Sequence, residues 1–141
     1  MAIAFLDSDE LVVHLMTCDE EAGGVNFVLP PSLPGGLPRK EHVSVQKIDD
    51  RHWRTVGYQS GPVLAEIFAD PQTSFAIEPV YFASNGFILP MYGLTLRSVS
   101  DFPRGTLLIQ DIDMSDYGRA ELYPISMEDL EVRLAEMNCR S

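Results

Sequence analysis

Residues 42–48, HVSVQKI, alternate apolar and polar side chains, the two-residue period of a half-buried strand with Val43, Val45 and Ile48 turned toward apolar neighbours. DDRH follows as a polar turn, and WRTVGYQ at 53–59 reads as the returning strand of a hairpin. The segments AIAFL near the start, VNFVLP at 25–30, GTLLIQDI at 105–112 and RAELYPI at 119–125 supply further strand candidates. The run from Ser74 to Val99 places Asn85-Gly86 between two β-rich stretches. Both residues tolerate positive φ, as a tight type I′ hairpin turn requires. Pro79 and Pro90 lie on either side. A proline removes a ladder donor, so this hairpin is not expected to be central over its whole length.

Three segments carry a helical pattern. In residues 7–24, Leu11, Leu15, Cys18 and Ala22 fall at helical spacing, Asp7 or Ser8 can cap the start, and Gly23-Gly24 can stop it. Val12-Val13 favour a strand, and Asp19, Glu20 and Glu21 oppose the helix dipole at its C-terminal end, so a hairpin stands as the alternative. In GPVLAEIFADP, Pro62 suits a helix start and Pro71 a helix end, predicting a short helix with Leu64, Ile67 and Phe68 inward. From Ser126 onward, Met127, Leu130, Leu134 and Met137 form one apolar stripe with Val132 beside it, while Glu128, Asp129, Glu131 and Glu136 make the opposite face acidic. Residues 29–40 form a Pro/Gly-rich loop, because proline cannot donate to a regular ladder. Pro31 and Pro34 spell PxxP there, without well-placed basic flanks for a proline-binding domain.

These elements predict a single α+β domain over 1–141, with a largely antiparallel sheet of five to seven strands and two or three helices, including a C-terminal amphipathic helix. The alternating βα pattern of a parallel nucleotide-binding sheet is absent. The 141 residues suffice for one domain with a real core. At 45% hydrophobic and 22% charged, the chain has the balance of an ordinary globular protein. The start lacks a basic region and reaches Asp7 early, unlike a secretory signal, and no apolar run is long enough for a membrane span. Two distant cysteines, Cys18 and Cys139, read as free thiols in a reducing compartment. The expectation is a cytoplasmic protein.

The formal net charge of −11 is unevenly distributed. Residues 1–38 hold six acids and no lysine or arginine. Arg39, Lys40, Lys47, Arg51 and Arg54 then outnumber Glu41, Asp49 and Asp50. Residues 111–141 hold eight acids against Arg119, Arg133 and Arg140. Such a chain repels nucleic-acid phosphates and anionic lipids at long range. Solubility alone explains the acidity; attraction to a basic partner is the sharper explanation.

Candidate chemistry is sparse. Around DIDMSDYGRAEL (111–122), a calcium loop started at Asp111 puts Asp116 at position 6 and Leu122 at position 12; started at Asp113, it puts Gly118 at 6 but Pro124 at 12. Neither frame has the bidentate glutamate, so a turn is expected. His14, His42 and His52 show no zinc-type spacing, and no metal or cofactor is expected. No phosphate-cradling or nucleophile-elbow motif is present. The best polar cluster is Asp50, Arg51, His52, Trp53, Arg54 and Tyr58, with Asp49 beside it. Trp, Tyr and Arg often dominate protein interfaces; the competing expectation is a solvated hairpin turn with Trp53 in the core.

These features predict a protein-binding domain acting stoichiometrically, as an inhibitor, immunity-type protein, adaptor or assembly subunit, on a basic partner. Glu128 and Glu131 join the cluster as interface candidates. The alternative is a small enzyme or small-anion-binding protein in which the 49–58 Asp/Arg/His/Trp cluster acts, with acid–base work at His52 or Asp50. A second copy of the chain is a further candidate partner, because 63–96 is notably apolar.

Overall fold

A computed structural model describes residues 2–6, 10–17, 22–31, 33–49, 51–55, 61–81, 91–112 and 120–136. Among the described residues, ten strands and three helices follow in chain order: β1 Ala2–Phe5, β2 Leu11–Met16, β3 Ala22–Leu29, β4 Arg39–Val43, β5 Val45–Asp49, β6 His52–Thr55, α1 Pro62–Ala69, β7 Phe75–Tyr81, β8 Met91–Leu94, α2 Leu96–Ser100, β9 Leu108–Ile112, β10 Ala120–Pro124 and α3 Met127–Glu136. The class is α+β, and every strand pair is antiparallel. The strands divide into a six-stranded sheet, β10-β9-β1-β2-β6-β5, and a four-stranded sheet, β4-β3-β7-β8.

The main core lies between the two sheets. Ile3, Phe5, Leu11, Val13, Leu15, Trp53 and Leu108 from the larger sheet meet Val25, Phe27, Leu29, Phe75 and Ile77 from the smaller. The Phe27 and Phe75 rings are tilted, with centroids 6.2 Å apart. Each fully buried side chain of this size stabilises by about 1.5–3 kcal/mol. α1 packs on β3 and β4, α2 packs on β1, and both feed the same core through Val63, Leu64, Ile67, Leu96 and Val99. The other face of the six-stranded sheet has a second, smaller core of Ala2, Met16, Ile109 and Leu130, the last belonging to α3.

Several expectations change on inspection of the elements. The helix expected over residues 7–24 is instead strand β2, paired with β1 from Ala2↔His14 to Phe5↔Leu11. All six residues of β2 are buried, because the inter-sheet core covers one face and the smaller core and its surroundings cover the other. A strand buried on both sides loses its alternation, and Leu11 with Leu15 then mimics helical spacing. The single strand expected at 42–48 is two strands in different sheets, broken at Ser44. In α1, Leu64 and Ile67 point inward as their spacing predicts; Val63, not expected there, joins them, and Phe68, expected inward, is exposed. Leu96–Ser100, read as strand, is the short helix α2, fixed by a reciprocal capping box between Thr95 and Ser98. β7 and β8 pair, but the Asn85-Gly86 turn and Pro90 fall outside the described residues, as do Cys18, Cys139 and residues 113–119 of the aspartate loop.

Between β3 and β4 the described residues form no helix or strand, and Leu33 and Leu37 stand exposed there. Among the described residues no helix is long and apolar enough to cross a membrane.

Candidate functional site

β2 and β6 are neighbours, with Met16↔His52, Leu15↔Trp53 and His14↔Arg54 in register. Side chains alternate between the faces of a strand. Leu15 and Trp53 therefore enter the inter-sheet core, while His14, Met16, His52 and Arg54 share the outer face. Two residues apart along the ladder, His14 and His52 are diagonal neighbours, within reach for side chains of this size. Their rings lie 5.0 Å apart, tilted by 49°, and His14 Nε2 is 2.8 Å from His52 Nδ1. Both residues are 4% exposed.

The chain of contacts continues to α3. His52 Nε2 is hydrogen-bonded to Glu131 Oε1, and Asp49 Oδ1 lies 3.9 Å from the same nitrogen. A carboxylate only accepts, so His52 Nε2 carries a proton and donates it to Glu131. One proton then lies between His14 Nε2 and His52 Nδ1, on either nitrogen, with the other nitrogen accepting. The arrangement is a three-member relay, from the exposed carboxylate of Glu131 through His52 to the buried imidazole of His14. Burial lowers the His14 pKa from 6.5 to about 4, helped by the positive fields of His52 and the amino terminus; Asp49 pulls it upward and Arg54 slightly downward.

The nitrogen separation identifies a hydrogen bond, since two nitrogens on one tetrahedral zinc would be about 3.3 Å apart. Among the described residues no three His, Cys, Asp or Glu side chains are grouped to hold a metal ion.

The residues grouped by sequence around 49–58 separate in space. Arg51 is exposed in the turn, where its backbone N–H donates to Asp49 Oδ1 at 3.2 Å. Trp53 is buried in the main core, its Nε1–H donating to Thr17 Oγ1 at 2.9 Å, with Lys47 Nζ 5.8 Å from its ring centre. Arg54 is exposed. Asp50 and Tyr58 lie outside the described residues. Glu131 is brought to His52 across a separation of 79 residues, a contact that spacing along the chain does not announce. Sequence reasoning also left His14 unassigned; the strand assignment of β2 and its pairing with β6 are what place it beside His52.

A second feature covers the neighbouring surface. α3 starts with Ser126 Oγ accepting from Asp129 N at 3.1 Å, the cap its sequence predicts. Leu130 is buried at 2% exposure, while Glu128, Asp129, Glu131, Met127 and Val132 are exposed. On β10, Tyr123 is exposed and its hydroxyl donates to Glu121 at 2.9 Å. Residues 120–132 thus present Glu121, Glu128, Asp129 and Glu131 beside three exposed apolar side chains, with no lysine or arginine in the segment.

Comparison with known proteins finds no matching family model, no matching curated protein and no matching solved structure.

Proposed function

We propose that this chain is a non-catalytic protein-binding domain that acts stoichiometrically on a basic partner through the surface of β10 and α3. The observation that carries the reading is the composition of residues 120–132, between Arg119 and Arg133: four carboxylates, no lysine or arginine, and Tyr123, Met127 and Val132 exposed in the same segment. Apolar side chains supply the area that a complex buries, and surrounding carboxylates select a partner of opposite sign and speed the encounter.

The enzyme reading has one favourable observation, the His52 imidazole oriented by Glu131 in the manner of a general base held by a carboxylate. It is the weaker reading, because at 4% exposure His52 reaches no substrate in this conformation.

The test is affinity capture from the native host with mass spectrometry at two salt concentrations, using the wild type and Glu128→Lys. A stoichiometric basic partner that is lost at the higher salt and lost in the variant supports the proposal. A partner retained equally under all four conditions refutes it, and turnover of a small molecule dependent on His52 favours the alternative.

A further inference from the structure

The buried histidine pair has no part in the binding proposal, yet it lies where α3 meets the sheet. Leu130 packs with Ala2 and Met16, the register partners of His14 and His52 respectively, so α3 roofs the pair. Among the described side chains of α3, Leu130 is the only buried one, and Glu131 adds the bond to His52. We propose that the His14–His52–Glu131 array is an acid-sensitive latch that holds α3 on the sheet and releases it when both histidines of the pair become charged.

The argument is one of proton counting. The two facing nitrogens, 2.8 Å apart, form a bond only while one of them lacks a proton. With one ring charged the bond survives, the imidazolium N–H donating to the neutral ring; only when both rings are fully protonated are both facing nitrogens donors, and two cations then lie side by side in a pocket of Ala, Met, Ile and Leu. Such charges are tolerated only if water reaches them. β2 is inside the sheet, so the strands cannot part cheaply; the helix roof is the element that can lift.

Four further groups act on the pair. Glu131 from α3 and Asp49 from β5 favour positive charge on it, while Arg54 from β6 and the amino terminus beyond β1 oppose it. The closed state holds His14 near 4, and the open state returns it to its ordinary value of 6.5. The open state therefore binds the proton more readily. Opening is favoured as pH falls from 6.5 to about 4, by up to about tenfold per pH unit, and is insensitive to pH above that window.

The experiment is amide hydrogen exchange on the full chain between about pH 7 and pH 4, corrected for intrinsic rates. The expected result is a progressive loss of protection in α3, by about two orders of magnitude across the window, while β2 and β6 stay protected. His14→Gln leaves His52 a neutral hydrogen-bonding partner that gains no proton, and it should flatten the response. Glu131→Gln cannot titrate and should keep it. Protection in α3 that does not change with pH overturns the latch, as does loss in β2 and β6 in step with α3. A wild-type response in His14→Gln, or none in Glu131→Gln, overturns it too. Should a variant fail to fold, the wild-type comparison of α3 with β2 and β6 decides alone. No partner is needed, so the latch and the binding proposal stand or fall separately.

Discussion

Glu41 shows how a single side chain organises its surroundings in this fold. α1 begins at Pro62 with Gly61 before it, and Gly61 has no side chain to cap the helix. The Glu41 carboxylate, reaching from β4, accepts instead from the N–H groups of Gly61, Val63 and Leu64 at 3.1, 3.1 and 3.3 Å. A negative group there satisfies orphan donors and suits the positive end of the helix dipole. The glycine is required by space rather than by backbone angle, since a Cβ on it would lie 2.2 Å from Glu41 Oε1. Glu41→Ala and Gly61→Ala should each cost about 1–2 kcal/mol in urea unfolding, the range of a lost cap. The two should be strongly non-additive, because Gly61→Ala already expels the carboxylate. Full additivity would mean that Gly61→Ala acts by some route other than displacing the Glu41 carboxylate. Trp53 makes a second case. Trp53→Phe keeps most of the apolar burial but loses the bond to Thr17, so stability should fall by about 0.5–1.5 kcal/mol. Partner capture should be unchanged, since the ring faces the core; a loss of capture in the folded variant would restore Trp53 as an interface anchor.

At the scale of elements, the edges of the sheets explain what keeps the sandwich closed. On one side the chain itself turns the corner, passing from β4 to β5 through Ser44 and so from one sheet to the other. On the other side β8 is an edge strand, and Gln110 of β9 serves as its missing neighbour. The Gln110 amide accepts from Tyr92 N–H at 2.8 Å and donates to Tyr92 C=O at 2.5 Å, as a paired strand would. Gln110→Leu should expose this edge, lower stability by about 1–2 kcal/mol and raise concentration-dependent association, which light scattering measures. The parts of this architecture that were legible in sequence are those with a local cause. Asp49 to His52 turns the β5–β6 hairpin as its polar residues predict, Ser126 caps α3, and Pro62 opens α1. The illegible parts have causes elsewhere in the chain. β2 hides its period because both of its faces are covered, and the five residues of α2 are too few to display a helical one. The His14–His52 contact joins residues 38 apart and depends on a register that no short window contains. Leu130 was recognisable as a core residue, but the partner of Glu131 was not. Leu130→Ala should therefore weaken the docking of α3 by about 2–5 kcal/mol, and exchange of the α3 amides should accelerate before that of β2.

For the molecule as a whole, charge and core divide the chain's length between them. The apolar stretch 63–96, which raised the prospect of self-association, sends Val63, Leu64, Ile67, Phe75, Ile77, Met91, Leu94 and Leu96 into the main core; of its described large apolar residues, Phe68 and Tyr92 remain exposed. The chain carries a net charge of −11, which repels a second copy at long range. The same charge has two consequences of opposite sign. Within one molecule the excess carboxylates repel one another, and that repulsion is relieved on unfolding; between this molecule and a basic partner they attract. Salt screens both, since the screening length shortens from about 14 Å near 50 mM to about 4 Å near 500 mM. Raising sodium chloride over this range should therefore shift the urea unfolding midpoint upward while slowing association with the captured partner by on the order of tenfold or more. Measuring both on one preparation separates an electrostatic docking mechanism from a general salt effect on the fold. If association slows only as far as the midpoint falls, the partner is responding to loss of structure; if the midpoint rises as association slows, the carboxylates around α3 are acting on the partner directly.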